Sequence, residues 1–211
     1  MRMSSSRFLL LLLPGLLVQS IRAQDAVFAE QELRDGLYSD HRAFRSNRPT
    51  MPLHQLRDAQ GQHVTDVRRA TNSLLWRPDT GETRTVDLRK VWGFCQNGVV
   101  YIGTRDGFYR IGLMGTLSHL VVEQSYRDWD PYLYGSGMGA TTRTVLVQML
   151  LDVETGALLP FNASGLDQVL VRDAVLSEEF RSLPKKQRNG PEALFRFLHL
   201  YNDRHPLIFP D

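Results

Sequence analysis

Cysteine is nearly absent: Cys95 is the one thiol among 211 residues. A lone thiol excludes an internal disulfide and a cysteine-built structural zinc site, so stability has to come from packing. An excess of one charge sign is also lacking. The chain carries 25 basic and 23 acidic residues, and three of the basic ones, Arg2, Arg7 and Arg22, fall in the first 23 positions, which hold no acid. Without that stretch 22 basic residues face 23 acidic ones, a net charge of −1. Such a chain gives no electrostatic case for nucleic acid, whose binders present a basic patch or stripe. Beyond residue 23 no run approaches about 18 apolar residues, so no membrane span is expected in the mature chain. The six histidines, His41, His54, His63, His119, His199 and His205, form no HxH, HExxH or i,i+4 pair. They are read as surface or capping residues, and the sequence implies no metal or cofactor.

What is present begins with residues 1–23, which have the three parts of an export signal. Arg2 and Arg7 form the positive start, Phe8–Val18 the apolar stretch, and Ser20–Ala23 a small-residue cleavage region. The segment is too short to span a bilayer comfortably, which favours cleavage after Ala23 over anchoring. The expected protein is exported, periplasmic or extracellular. About 190 residues then remain, enough for a single domain with a real core. With 42% hydrophobic and 23% charged residues the chain reads as folded rather than disordered.

The mature chain divides into a leader, residues 24–35, and one domain, residues 36–211, β-rich over 72–161 and helical over 164–205. Ser39 reads as an N-cap for a short helix, Asp40–Arg45, and Pro49 and Pro52 make the following stretch extended. Asp79-Thr80-Gly81 and Asn97-Gly98 are hairpin signals. Both central residues of a type I′ turn need positive φ, which Asn and Gly tolerate. A two-residue loop at Asn97-Gly98 predicts the pairs Gln96–Val99, Cys95–Val100, Phe94–Tyr101, Gly93–Ile102 and Trp92–Gly103. It also predicts Trp92, Phe94 and Tyr101 on one face, with Trp92 covering Gly103. Thr116–Gln124 is expected to be a strand. Arg143–Val153 has apolar residues at both parities and is expected to be central and covered on both faces. Short connections throughout predict an antiparallel meander. Ser164 with Asp167 resembles a capping box, Asp173 caps a second helix that Pro184 stops, and Asn189-Gly190-Pro191 opens a third. Strands first and helices last give an α+β fold, a mostly antiparallel meander with helices on one face or end.

By Gly36-Leu37-Tyr38 with Phe44 and Asn47-Arg48-Pro49, by Val91–Cys95 with Gly98–Ile102, and by Tyr201-Asn202 with His205-Pro206, the chain resembles a family of exported proteins of Bacteroidetes-type bacteria to which no activity is attached. The resemblance implies an envelope protein and transfers no catalytic or binding residue.

No catalytic constellation stands out. Gly135-Ser136-Gly137-Met138-Gly139 is one residue off a nucleophile elbow and runs into a strand rather than a helix, so a flexible loop is expected. Cys95 follows apolar residues in a strand and is expected to be a small core residue. The alternative is a hydrolase using Ser136 or Cys95 with His119; a carrier with an apolar cavity between sheet and helices is a third reading. Asn162-Ala163-Ser164 is a glycosylation sequon that short matches produce by chance. Lys185–Arg188 reads as a solvated run after a helix end. Tyr126-Arg127-Asp128-Trp129-Asp130-Pro131-Tyr132-Leu133-Tyr134 concentrates four aromatic rings in nine residues. Tyr126, Trp129, Tyr132 and Tyr134 are therefore the candidate surface for a ligand or envelope partner, against the alternative that the rings pack onto the sheet. Asp128, Asp130 and Pro131 argue that this segment is not a regular strand. The function expected is a non-enzymatic binding or structural module of the cell envelope.

Overall fold

A computed structural model of the chain describes residues 33–70, 72–129 and 140–210. The expected signal, residues 1–23, and most of the expected leader, residues 24–35, lie outside the described residues. Six consecutive strands form an antiparallel meander: β6 (Gly93–Gln96), β7 (Val99–Thr104), β8 (Gly107–Leu113), β9 (Leu117–Trp129), β10 (Ala140–Asp152) and β11 (Ala157–Pro160). Two earlier strands, β1 (Gly36–Tyr38) and β2 (Met51–Pro52), extend it to eight in the order β11-β10-β9-β8-β7-β6-β1-β2, and the sheet curls. Pro52 ends the outermost strand, where a residue without an N–H is tolerated. The fold is α+β, with a short N-terminal helix α1 (His41–Arg45) and the C-terminal helices α2 (Ala163–Leu170), α3 (Ala174–Ser182), α4 (Lys185–Arg188) and α5 (Pro191–Arg204).

One expected hairpin leaves the meander. β4 (Ser73–Trp76) and β5 (Arg84–Asp87) pair as the turn signal predicts, but with β3 (Leu56–Arg57) they make a separate three-stranded sheet. Its apolar residues Leu56 and Leu74 join Leu37, Val91 and Phe94 in one core, so the small sheet covers the β1–β6 end of the large one. Alternation along each strand sends the next residue to the opposite face. There Tyr38, Cys95, Ile102, Leu120, Val122 and Leu151 surround Phe44 of α1 and Phe209 of the C-terminal segment. At the β9–β11 end the helices replace the small sheet, packing Leu166, Phe180, Phe197 and Leu198 on Leu117 and Leu150.

The Asn97-Gly98 turn has positive φ at both residues, 52° and 71°. It sets the expected register from Gly93↔Ile102 to Gln96↔Val99, and the Asp35 carboxylate accepts from the Asn97 N–H at 2.9 Å. Phe94 stacks on Tyr101 at 4.6 Å. Trp92 does not share their face. Its carbonyl accepts from the Gly103 N–H at 2.8 Å, as the expected pair requires, but its N–H turns to the Tyr38 carbonyl on the other side, so strand alternation breaks there and the ring stacks on Phe44 at 4.6 Å in the opposite core. Gly103 lies against the Phe108 ring instead, 3.2 Å from where its Cβ would be. Two caps differ by one or two residues from expectation. Asp40, not Ser39, accepts from Ala43 N, and Asn162 of the sequon, not Ser164, accepts from Gly165 N. Each places a β-region residue just ahead of the first helical turn, the geometry a cap needs. Asp173 and the Gly190-Pro191 pair start their helices as predicted, while Lys185–Arg188 forms one helical turn of its own.

Candidate functional site: a projecting β-arm

β9 and β10 are the longest strands, 13 residues each, and pair without interruption from Leu117↔Asp152 to Trp129↔Ala140. Their neighbours are shorter. β8 meets β9 at Ile111↔Leu120 and Leu113↔His119, and β11 meets β10 no farther out than Met149↔Pro160. Among the described residues, Glu123–Trp129 and Ala140–Leu146 therefore pair in the sheet with each other alone. At strand rise this ribbon reaches about 20 Å beyond the body. Residues 130–139, which join its strands, lie outside the described residues.

The root is held firmly. Leu150 and Leu117 sit in the helix-side core, and Leu120 and Leu151 in the opposite one. His119 packs between Phe161 and Phe195 at 4.7 and 5.0 Å and donates from Nε2 to Gln148 Oε1 at 3.0 Å. Burial lowers its basicity, so the imidazole is neutral at neutral pH. Outward of this ring the cover ends. Leu146 is 71% exposed although Leu150, four residues on and on the same face, is fully buried. Thr142, Arg143, Thr144 and Gln148 are exposed as well. β10 is thus covered on both faces at its root and not along its length, contrary to the reading of its apolar residues at both parities. A two-stranded ribbon is marginal alone, so the arm depends on this root.

The aromatic segment enters the arm. Tyr126 is 48% exposed, and its hydroxyl donates to Gln124 Oε1 at 2.6 Å. Trp129 closes the backbone register opposite Ala140. Regular strand therefore continues through Asp128 to Trp129, where Asp128 argued against it. Tyr132 and Tyr134 lie outside the described residues, as does Ser136.

The other candidates are not brought together. Cys95 faces the core around Phe44, while His119 faces the helices. Burial, then the neighbouring Asp35 carboxylate, pushes the Cys95 thiol up to about 12. It stays protonated and cannot serve as a nucleophile near neutral pH. We expect a thiol reagent to label Cys95 at the rate of global opening. Cys95→Ser should cost about 1 kcal/mol, the low end for a buried hydroxyl, because Asp35 can accept its hydrogen bond. Rapid labelling of the native protein would contradict this. Between sheet and helices, Leu117, Leu150, Leu166, Phe180, Phe197 and Leu198 pack in one core. A groove of about 550 Å3 lies instead on the outer side of α3, between Val171 and Ser182. Among the described residues no three His, Cys, Asp or Glu side chains cluster as metal ligands, and no helix is long and apolar enough to cross a membrane.

Sequence reasoning missed the arm residues Thr142, Thr144 and Leu146. The available signal was two equal strand-like runs, 117–129 and 140–152, on either side of a segment with glycine at 135, 137 and 139. No family model, curated protein or solved structure matches the chain, so the site rests on its own geometry.

Proposed function

We propose that this chain is an exported, non-enzymatic binding or structural module of the cell envelope, and that it makes its contacts through the β9–β10 arm. The projection of a paired ribbon beyond both neighbouring strands carries the proposal. Exposed apolar and aromatic side chains on an extension the core does not need are what a contact element requires. Tyr126 and Trp129, with Tyr132 and Tyr134 beyond them in sequence, form the contact set. The signal-like segment and the resemblance to exported envelope proteins support the location. The chain leaves the cytoplasm, loses residues 1–23 and works in the periplasm or outside the cell.

Trp129→Ala tests the arm. Aromatic hot spots cost about 2 kcal/mol or more of binding when cut to alanine. The expected result is loss of the envelope component that co-purifies with the exported protein, with the melting temperature nearly unchanged. A large fall in melting temperature with the component retained would refute the contact role. N-terminal sequencing of the exported protein should start at Gln24, and retention of Met1–Ala23 would refute export by cleavage.

A further inference from the structure

The two edges of the arm differ, and one is complementary to itself. The Phe161 N–H donates to the Gln148 carbonyl at 3.0 Å, so the peptide groups of Gln148 point away from β9. In an antiparallel strand that direction repeats at every second residue. Leu146, Thr144 and Thr142 therefore aim both N–H and C=O outward, past the end of β11 at Pro160. Among the described residues no strand pairs with them. Exposed edges are usually blocked by lysine, proline, a bulge or an inward-pointing charge. Residues 140–149 contain no lysine, proline or acid, and their pairing with β9 is unbroken. The β9 edge is different: Tyr109 already donates to the Glu123 carbonyl at 3.1 Å, and the strand carries Glu123 itself.

We infer that the β10 edge, Thr142–Leu146, pairs antiparallel with the same edge of a second copy about a two-fold axis at Thr144. The inference rests on the reading of the arm as a contact element. Centring at Thr144 uses all three outward-facing residues: Thr144 meets the partner subunit's Thr144, and Thr142 meets the partner subunit's Leu146. Each such pair exchanges both its N–H···O bonds. Arg143 falls opposite the partner subunit's Val145, so no like charges face each other directly. Moving the centre to Arg143 would set two arginines directly opposite each other, and moving it to Val145 would set Thr142 opposite Gln148, whose carbonyl already accepts from Phe161. Leu146 gains a cross-strand neighbour where it now meets solvent. The closed two-fold contact consumes both open edges and stops at a dimer.

Sedimentation equilibrium of the purified protein tests this, with Thr144→Lys and Thr144→Glu compared alone and mixed. Thr144 is exposed, so neither change touches a core. The wild type should be dimeric. Like charges directly opposite are destabilising, and each variant alone should associate about tenfold more weakly or worse. Mixed in equal amounts, the two should form a heterodimer. Thr142→Pro removes an outward N–H without touching the β9 ladder and should weaken association similarly. A monomeric wild type, charge variants as dimeric as wild type, or a mixture that fails to associate would overturn the inference. If the wild type is monomeric yet Trp129→Ala still abolishes capture of the envelope component, self-pairing fails and the arm keeps its contact role. If the dimer follows the charge rule and capture ignores Trp129→Ala, the pairing stands and the wider reading falls.

Discussion

Leu150→Ala is expected to cost about 3 kcal/mol, and Leu146→Ala about 0.5 kcal/mol or less. The two leucines lie on one strand and one face, four residues apart, and differ in burial from 0% to 71% exposed. Leu150 packs in the core that joins the root of the arm to α2, α3 and α5. Its truncation leaves a cavity that the surrounding Phe161, Leu166 and Phe197 can fill only partly. At Leu146 the removed atoms were already in water. Chemical denaturation of the two variants measures the contrast directly. Similar losses would mean that the outer half of β10 is covered, and the account of a projecting arm would be wrong.

Arg172→Met is expected to cost about 3 kcal/mol at neutral pH. Asp152, at the inner end of β10, is 2% exposed in its side chain and is gripped by both terminal nitrogens of Arg172, at 2.7 and 3.2 Å. The Thr155 hydroxyl, at 2.6 Å, and the Glu154 N–H also donate to it. Burial raises the Asp152 carboxyl pKa, but the Arg172 guanidinium and the Thr155 hydroxyl outweigh burial and hold it below the ordinary carboxylate value. Removing one partner of a buried pair costs about 3–5 kcal/mol, because the remaining charge loses its compensation. The low end applies here, since the Arg172 side chain is about one-third open to solvent. The sign with pH follows from linkage. In the wild type the folded-state pKa is lowered, so this stabilisation is present above about pH 4 and lost as pH falls through the folded value. In Arg172→Met burial prevails and the carboxyl rises, so the deficit against wild type is largest at neutral pH and shrinks on acidification. A pH series of unfolding midpoints checks this. A deficit that grows toward acid would contradict the assigned pair.

Much of the fold was legible because it is set by local chemistry. Asn97-Gly98 dictated a turn and, through it, four residue pairs; Asp173 and Pro191 dictated helix starts. The misreadings have physical causes. Trp92 sends its C=O to Gly103 and its N–H to Tyr38 on the opposite side, so alternation along β6 breaks at that residue. β3–β5 form their own sheet because Leu56, Leu74 and Leu88 have a core to cover, and no property of a turn tells which sheet its strands join. The arm was hidden for the same reason. Apolar residues at both parities of β10 describe its root correctly, but the outer half is decided by where β8 and β11 stop. The outermost pairs there, Ile111↔Leu120 and Met149↔Pro160, are features of other strands. Of the candidate surface, the aromatic clustering was visible and its strand geometry was not, because Asp128 reads as a breaker until its register opposite Thr141 is known.

The contact role of the arm is tested most directly by photo-cross-linking in the producing cell. A photoreactive amino acid is placed at Tyr126 on the arm and, as a control, at Val175, which is 59% exposed on α3. Discrete cross-linked products are expected from position 126, none from position 175, and loss of the products when Trp129→Ala is added. Cross-links from position 175 with none from position 126 would contradict this role and would move the contact surface to the helical layer.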